Sequence, residues 1–260
     1  MWCKYFHWHT GGFGVGFGGK SRARLYGYSR QTMKSFVNRG TINDMSANLF
    51  AVIHAREASE ALSNAELAVK CGMNGVFFIS HGELTSEQVI QLAKDFQTEQ
   101  HVQKGVNLLG KKVVDVVNDV ACHVDMLWSD YTPEFEEREQ VEDLRKKHLC
   151  SFDFYGGVAF KYTRQPKDLL KAAQDVKGFV DVLTTSGPAT GVPPEIEKLA
   201  VLAEGFGDKI AVASGVTPEN VVPMLPYVGY FLVATGISKD FHNLDEDKCK
   251  ALVNAVRSAG

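Results

Sequence analysis

From residue 46 onward, short apolar blocks alternate with longer stretches in which apolar residues recur every three or four positions. The blocks at 49–54, 75–81, 105–109, 124–130, 152–162, 180–185, 210–213 and 230–234 are rich in Val, Ile, Leu and Phe and read as buried strands of a parallel sheet. Gly156-Gly157 in the fifth suggests a bend or bulge. The stretches between and after them, at 60–73, 85–97, 113–121, 133–148, 166–178, 193–206, 218–226 and 245–259, read as helices. In 85–97, Thr85 and Gln88 can form a capping box ahead of a stripe of Val89, Leu92, Ala93 and Phe96. In 133–148 the acids Glu134, Glu136 and Glu137 come first and Arg145, Lys146 and Lys147 last, in the order the helix dipole favours. A solvated outer face with Phe135, Val141 and Leu144 turned inward is the plainest account of it. The last helix should bury Cys249, Leu252, Val253 and Val256.

Eight strands in strict alternation with eight helices, packed into about 215 residues, fit a closed barrel better than an open doubly wound sheet. The expected fold is therefore α/β, a single (β/α)8 TIM barrel over 46–260, preceded by a glycine-rich basic leader over 1–45. In such a barrel the C-terminal ends of the strands form one mouth, and function sits there.

Charge divides the chain at the same place. The net charge is −3, yet the leader carries Lys4, Lys20, Arg22, Arg24, Arg30, Lys34 and Arg39 against a single acid, Asp44. The acidic body argues against nucleic acid as a partner. The leader matches the P-loop pattern at Gly14–Ser21, with Lys20 as its lysine, but the residues before it, including His7, His9 and Thr10, make a poor buried strand. A low-complexity glycine tract explains the match as well, and a basic, acid-poor N-terminus also fits an organelle-targeting segment, mitochondrial or plastid, as the alternative to a cytoplasmic location. No apolar run is long enough to span a membrane. The scattered cysteines, Cys3, Cys71, Cys122, Cys150 and Cys249, suggest reduced thiols rather than a disulfide frame or zinc site.

Chemistry gathers at the strand ends. After the seventh strand come Ser214, Gly215, Val216, Thr217 and Pro218, and after the eighth Thr235, Gly236, Ile237 and Ser238. Thr217 as N-cap and Pro218 as first helical residue would open a helix whose free N–H groups attract anions. Barrels often hold phosphate between these two loops, so Ser214, Gly215, Thr217, Thr235 and Gly236 are expected to bind it, although tight strand–helix turns alone would have the same composition. Around the other strand ends lie His54, His81, Asn107, Asp130 and Lys161. His54, Asn107, Asp130 and Lys161 are the candidate catalytic set, able to act as acid, base and electrostatic anchor. Each has a plainer role available: a core histidine, a helix cap or a solvated lysine. His81 with Glu83 is part of a metal-like pair, but no third ligand stands at a suitable spacing, so no metal and no cofactor is expected. Thr185, Ser186, Gly187, Thr190 and Gly191 form a loop after the sixth strand that would shape specificity.

The stretch Ser186-Gly-Pro-Ala-Thr-Gly-Val-Pro-Pro-Glu-Ile-Glu-Lys-Leu199, with Ser214-Gly-Val-Thr-Pro-Glu-Asn-Val221, resembles the BtpA family, within the ribulose-phosphate-binding barrel superfamily. Gly105-Val-Asn-Leu-Leu109 and Val52-Ile-His54 also fit it, and the likeness spans roughly 46–260. The family often has a proline-rich loop after the first-strand histidine, where this chain has Ala55-Arg56-Glu57-Ala58. The resemblance implies a barrel that binds a phosphorylated small molecule, a sugar phosphate or nucleotide derivative, and gives a fold and ligand class more than a reaction. The candidate residues point to an isomerase, lyase or transferase acting on that molecule; the alternative is a non-catalytic assembly or stability factor that uses the barrel as a scaffold, since the family is tied to photosystem assembly in photosynthetic organisms. A homo-oligomer is open on either account.

Overall fold

The computed structural model describes residues 47–99, 102–148 and 152–259. The expectations for the leader, the P-loop match and Lys20 lie outside them. The eight strands, β1 (Asn48–His54), β2 (Gly75–Ile79), β3 (Gln103–Asn107), β4 (Met126–Ser129), β5 (Asp153–Gly157), β6 (Val182–Thr185), β7 (Ile210–Val212) and β8 (Tyr230–Val233), close in sequence order into one parallel barrel. β1 pairs with both β2 and β8, which seals it. Seven α-helices surround it among the described residues: α1 (Ala58–Lys70), α2 (Ser86–Asp95), α3 (Val113–Val120), α4 (Phe135–Lys147), α5 (Leu169–Asp175), α6 (Ile196–Phe206) and α7 (Glu246–Ala259). The TIM barrel expected from the alternation is thus present.

Two hydrophobic layers follow from the strand period of two. The inner cluster takes Phe50 and Val52 from β1, Phe77 and Ile79 from β2, Met126 and Trp128 from β4, Tyr155 from β5, Val182 from β6 and Leu232 from β8. Phe77 lies edge-on to Phe50, Trp128 and Tyr155 at centroid separations of 5.8, 5.9 and 5.3 Å. Burying a ring of this size is worth about 1.5–3 kcal/mol. Gly105 makes room for it, since a Cβ there would stand 2.5 Å from the Phe77 ring. The outer layer, between barrel and helices, takes the intervening residues, such as Ala51, Ile53, Val76, Phe78, Leu183 and Val212.

Local signals explain most helix ends. Thr85 Oγ1 accepts from the Gln88 N–H and Gln88 Oε1 from the Thr85 N–H, the reciprocal box that the spacing predicts. α7 buries Cys249, Leu252, Val253 and Val256 as expected.

Four expectations need correction. No α-helix forms over 218–226; the chain there makes turns and one 3-10 turn, Val222–Met224. Pro223 and Pro226 withhold N–H donors that a helix would need. The fifth strand stops at Gly157, where a Cβ would stand 2.0 Å from the Asp130 carbonyl oxygen, so the paired glycines mark a close approach at the strand's end rather than a bulge within it. Phe135 is 70% exposed, because it opens α4 at the helix edge; Val141 is the buried residue of that helix. Finally, Cys122 is disulfide-bonded, while Cys71 and Cys249 are free thiols. Spacing along the chain carries no information about a pairing made in space.

Candidate active site at the barrel mouth

The inward-facing register of each strand changes character at its C-terminal end. In β1 the series Phe50, Val52 ends in His54; in β2, Phe77 and Ile79 lead to His81; in β4, Met126 and Trp128 lead to Asp130; in β3, Gly105 leads to Asn107. Alternation therefore delivers two imidazoles, a carboxyl and an amide to the same rim.

The groups touch or sense one another. The His54 and His81 rings stand edge to face at 5.0 Å, and Phe241, from the loop after β8, lies 4.3 Å from His54 and 5.3 Å from His81. His242 Nδ1 is 3.0 Å from the His54 carbonyl oxygen, which fixes that loop over the mouth. Asn107 Nδ2 donates to Asp130 Oδ1 at 3.0 Å. Burial, aided by the neighbouring His81, pushes the His54 imidazole down to about 4. Burial also lowers His81, against the pull of Glu83 and Asp130. The Asp130 carboxyl is raised by burial, opposed by the Asn107 hydrogen bond and by the charges of Lys161 and His81. Burial lowers Lys161, with Asp130 opposing. His54, at about 4, is thus a neutral base at pH 7, and Asp130 is displaced toward a working acid. His54 Nδ1, Trp128 Nε1 and Thr184 Oγ1 are buried without a hydrogen-bond partner. A cleft of about 250 Å³ opens on the β2–β3 side of the rim, lined in part by Ser80, His81, Asn107 and Leu109.

All four candidate catalytic residues lie at this rim. Lys161 arrives from the loop after β5, where Phe160 dips back against Trp128, 6.0 Å between centroids, and the Lys161 amine sits 5.3 Å from the Phe160 ring centre. In the loop after β6, Ser186 Oγ accepts the Lys161 N–H at 2.7 Å. The Thr190 N–H reaches the Tyr162 hydroxyl at 3.4 Å, so this loop and the one after β5 meet across the rim. Gly187 and Gly191 shape the same turn; a Cβ on Gly187 would stand 2.0 Å from the Val192 carbonyl oxygen, and Gly191 has φ +77°. Register assigns Thr184, with Val182, to the inside, and Thr185, with Leu183, to the helix side. Thr184 was missed for that reason: two adjacent threonines look alike until the pairing is known.

The loops after β7 and β8 pack directly on each other. A Cβ on Gly236 would stand 1.8 Å from the Val216 carbonyl oxygen, and one on Gly215, φ +64°, would stand 2.3 Å from the Pro193 nitrogen. Among the described residues, the backbone N–H groups of Gly215, Val216, Thr235 and Gly236 make no hydrogen bond. Gly215 and Val216 are buried, where an unpaired N–H is costly. Two other expected phosphate ligands are engaged internally: Ser214 Oγ donates to the Ala189 carbonyl, and the Thr217 N–H donates to Asn220 Oδ1. The adjoining cleft of about 450 Å³ is of mixed charge, with Glu219, Asp247 and Lys248 on its walls. Among the described residues there is no group of three or more His, Cys, Asp or Glu suited to a metal ion, and no helix long and apolar enough to cross a membrane. Sequence reasoning also passed over Phe241, His242 and Lys198; Phe241 and His242 belong to no motif, Lys198 stands unmarked near the end of the BtpA-like segment, and only the fold brings them to the rim.

No family model matches the chain. It is 24% identical over 220 residues to an uncharacterized protein of Methanocaldococcus jannaschii, covering 79% of this chain and 84% of that one. A second uncharacterized protein, from Thermococcus kodakarensis, is 30% identical over 99 residues, 37% of this chain and 38% of that one. Among solved structures, the phosphoribosyl anthranilate isomerase of Thermotoga maritima superposes with a TM-score of 0.61 at 13% identity, covering 82% of this chain and 99% of that one. The isomerase of Thermus thermophilus gives 0.59 at 15%, covering 82% and 100%. The orotidine 5′-phosphate decarboxylase of Pyrococcus horikoshii gives 0.59 at 11%, covering 80% and 99%. At these identities the likeness is one of fold, a closed (β/α)8 barrel.

Proposed function

We propose that the chain is a BtpA-like barrel that binds a phosphorylated small molecule, a sugar phosphate or nucleotide derivative, at its mouth and acts on it. The observation that carries this is the set of unpaired N–H groups on Gly215, Val216, Thr235 and Gly236, in two loops packed together. Clustered backbone donors of this kind suit a phosphate dianion, and those of the buried Gly215 and Val216 cost stability when left unpaired. The solved barrels of similar shape include enzymes whose names specify phosphorylated compounds, phosphoribosyl anthranilate and orotidine 5′-phosphate. The BtpA likeness draws support from the way its two quoted segments form one unit: Gly215 packs on Val192-Pro193, and Ser214 Oγ bonds to Ala189.

With the phosphate held there, the rest of the substrate would reach the rim, because Phe241 and His242 continue from the loop that begins with Thr235 and Gly236. Neutral His54 would take a proton, Asp130 would supply or remove one, and Lys161 would steady developing negative charge, roles open to an isomerase, lyase or transferase.

Thermal-shift titration with inorganic phosphate, ribose 5-phosphate and a nucleoside monophosphate tests the binding. A ligand at a hundred times its Kd stabilises the fold by about 2.7 kcal/mol, a readily measured rise in Tm. Gly236→Ala, which drives a Cβ into the Val216 carbonyl, should abolish the rise while leaving the barrel folded. No rise with any of the three compounds at millimolar concentration would refute the proposal.

A further inference from the structure

Lys198 is in the wrong place for an ordinary helix lysine. It stands in the first turn of α6, where the helix dipole disfavours a cation, and its amine is drawn under the barrel rim. There Nζ donates to two carbonyl oxygens at once, Ala159 at 2.6 Å and Ser186 at 2.7 Å. Ala159 belongs to the loop after β5 and Ser186 to the loop after β6, so one ammonium joins both. Glu195 is the charged group that favours it, while burial holds its pKa at about 8, so it remains a cation at neutral pH.

What it holds is unusual backbone. Ala159 and Tyr162 both have left-handed φ, +50° and +60°, and neither is glycine. Such backbone is costly for a residue with a Cβ and persists only where surrounding contacts enforce it. Between them lie Phe160 and Lys161. The Phe160 carbonyl accepts from Thr163 Oγ1 and Gln165 Nε2, both at 2.8 Å, and the Lys161 N–H donates to Ser186 Oγ at 2.7 Å. Ser186 is fully buried, and its carbonyl is one of the two that Lys198 holds. The Lys161 amine itself has no hydrogen bond or ion pair among the described residues; it lies over the Phe160 ring, with Asp130, His54, His81 and Tyr162 in electrostatic range.

We propose that Lys198 is a positioning residue: by bridging the Ala159 and Ser186 carbonyls it locks the loops after β5 and β6 together and so fixes the Lys161 amine in the mouth. Its importance for function rests on the proposal that this mouth is the active site. The mechanical link itself does not.

The test uses the full chain and no ligand. Competitive acylation with acetic anhydride across pH, followed by mass spectrometry of the Lys161 peptide, reports the reactivity of that amine relative to surface lysines. In Lys198→Met, Lys161 should swing toward solvent and recover the ordinary lysine range; a pKa higher by one lowers its free-amine fraction about tenfold at pH 8. Lys198→Arg keeps two donors and should restore much of the wild-type profile. Ser186→Ala cuts the link at Lys161 and leaves the Lys198 amine in place; it should shift the Lys161 profile in the same direction, and it serves if Lys198→Met does not fold. A Lys161 profile unchanged in a folded Lys198→Met, or in Ser186→Ala, overturns the proposal. Failure of phosphate to bind the wild type would instead remove the functional reading and leave this result intact.

Discussion

The lower interior of the barrel and its mouth are built by the same strands, a few residues apart, yet they obey opposite rules. Below, Phe50, Phe77, Met126 and Tyr155 fill the space with interlocking rings and methylenes. Above, beyond Val52, Ile79 and Trp128, the rim holds His54, His81, Asn107 and Asp130, and burial displaces His54, His81 and Asp130 from their ordinary titration. Packing alone would have continued the apolar series upward. Placing neutral imidazoles and a carboxyl there costs stability, and costs of that kind are characteristic of functional sites. The comparison assigns stability to the lower layers and, on the proposed function, chemistry to the rim, and substitutions in the two regions should have effects of opposite kind.

The largest effect belongs to the interior. Phe77 is fully buried and touches rings from three other strands. Phe77→Ala should cost about 3–5 kcal/mol, read as a lowered urea midpoint with an unchanged m-value. A loss below about 1 kcal/mol would mean that the lower barrel is not the stabilising layer.

Next comes the pH dependence set by His54. An unfolded imidazole binds its proton near 6.5, the folded one only near 4. Between those values the unfolded state holds more protons, so stability is complete above about pH 6.5 and falls as pH drops toward 4. The slope approaches 1.4 kcal/mol per pH unit, on the order of 3 kcal/mol across the window. His54→Asn should flatten this limb relative to wild type in urea titrations at pH 4, 5, 6 and 7. Parallel curves for the two proteins would show that His54 titrates normally and that the rim does not desolvate it.

The division between layers also explains what the sequence reveals and what it hides. Strand and helix alternation exposes the barrel because every unit repeats one hydrophobic rhythm, and His54, Asn107 and Asp130 are recognisable because they end apolar strands. Thr184 and Thr185 cannot be told apart without register. Lys198 lies in the segment that resembles the BtpA family, but nothing there marks it; its significance arises from two carbonyls contributed by loops 12 and 39 residues away. The 218–226 segment misleads because Thr217-Pro218 is a good helix start, whereas Pro223 and Pro226 decide the outcome a turn later. The loop after β7 is consequently held by Asn220, which binds the Thr217 N–H and the Gly215 carbonyl, and not by a helix.

The smallest expected effect is the most discriminating. Asp130 is raised by burial, so its folded carboxyl gives up a proton later than the unfolded one as pH climbs. Above about pH 3.8 the folded state therefore holds more protons, and this group subtracts stability as pH rises through its folded value, opposite in sign to His54. Asp130→Asn keeps an oxygen to accept from Asn107 and removes the buried charge. At pH 7 it should be as stable as wild type or gain about 0.5–2 kcal/mol, the usual range for relieving a functional cost. It should also retain phosphate binding, because the donors at Gly215, Val216, Thr235 and Gly236 are untouched, while losing turnover of any substrate found. A variant that loses stability at pH 7 would show Asp130 to be a structural partner of Asn107, and would move it from the chemical rim to the supporting layer below.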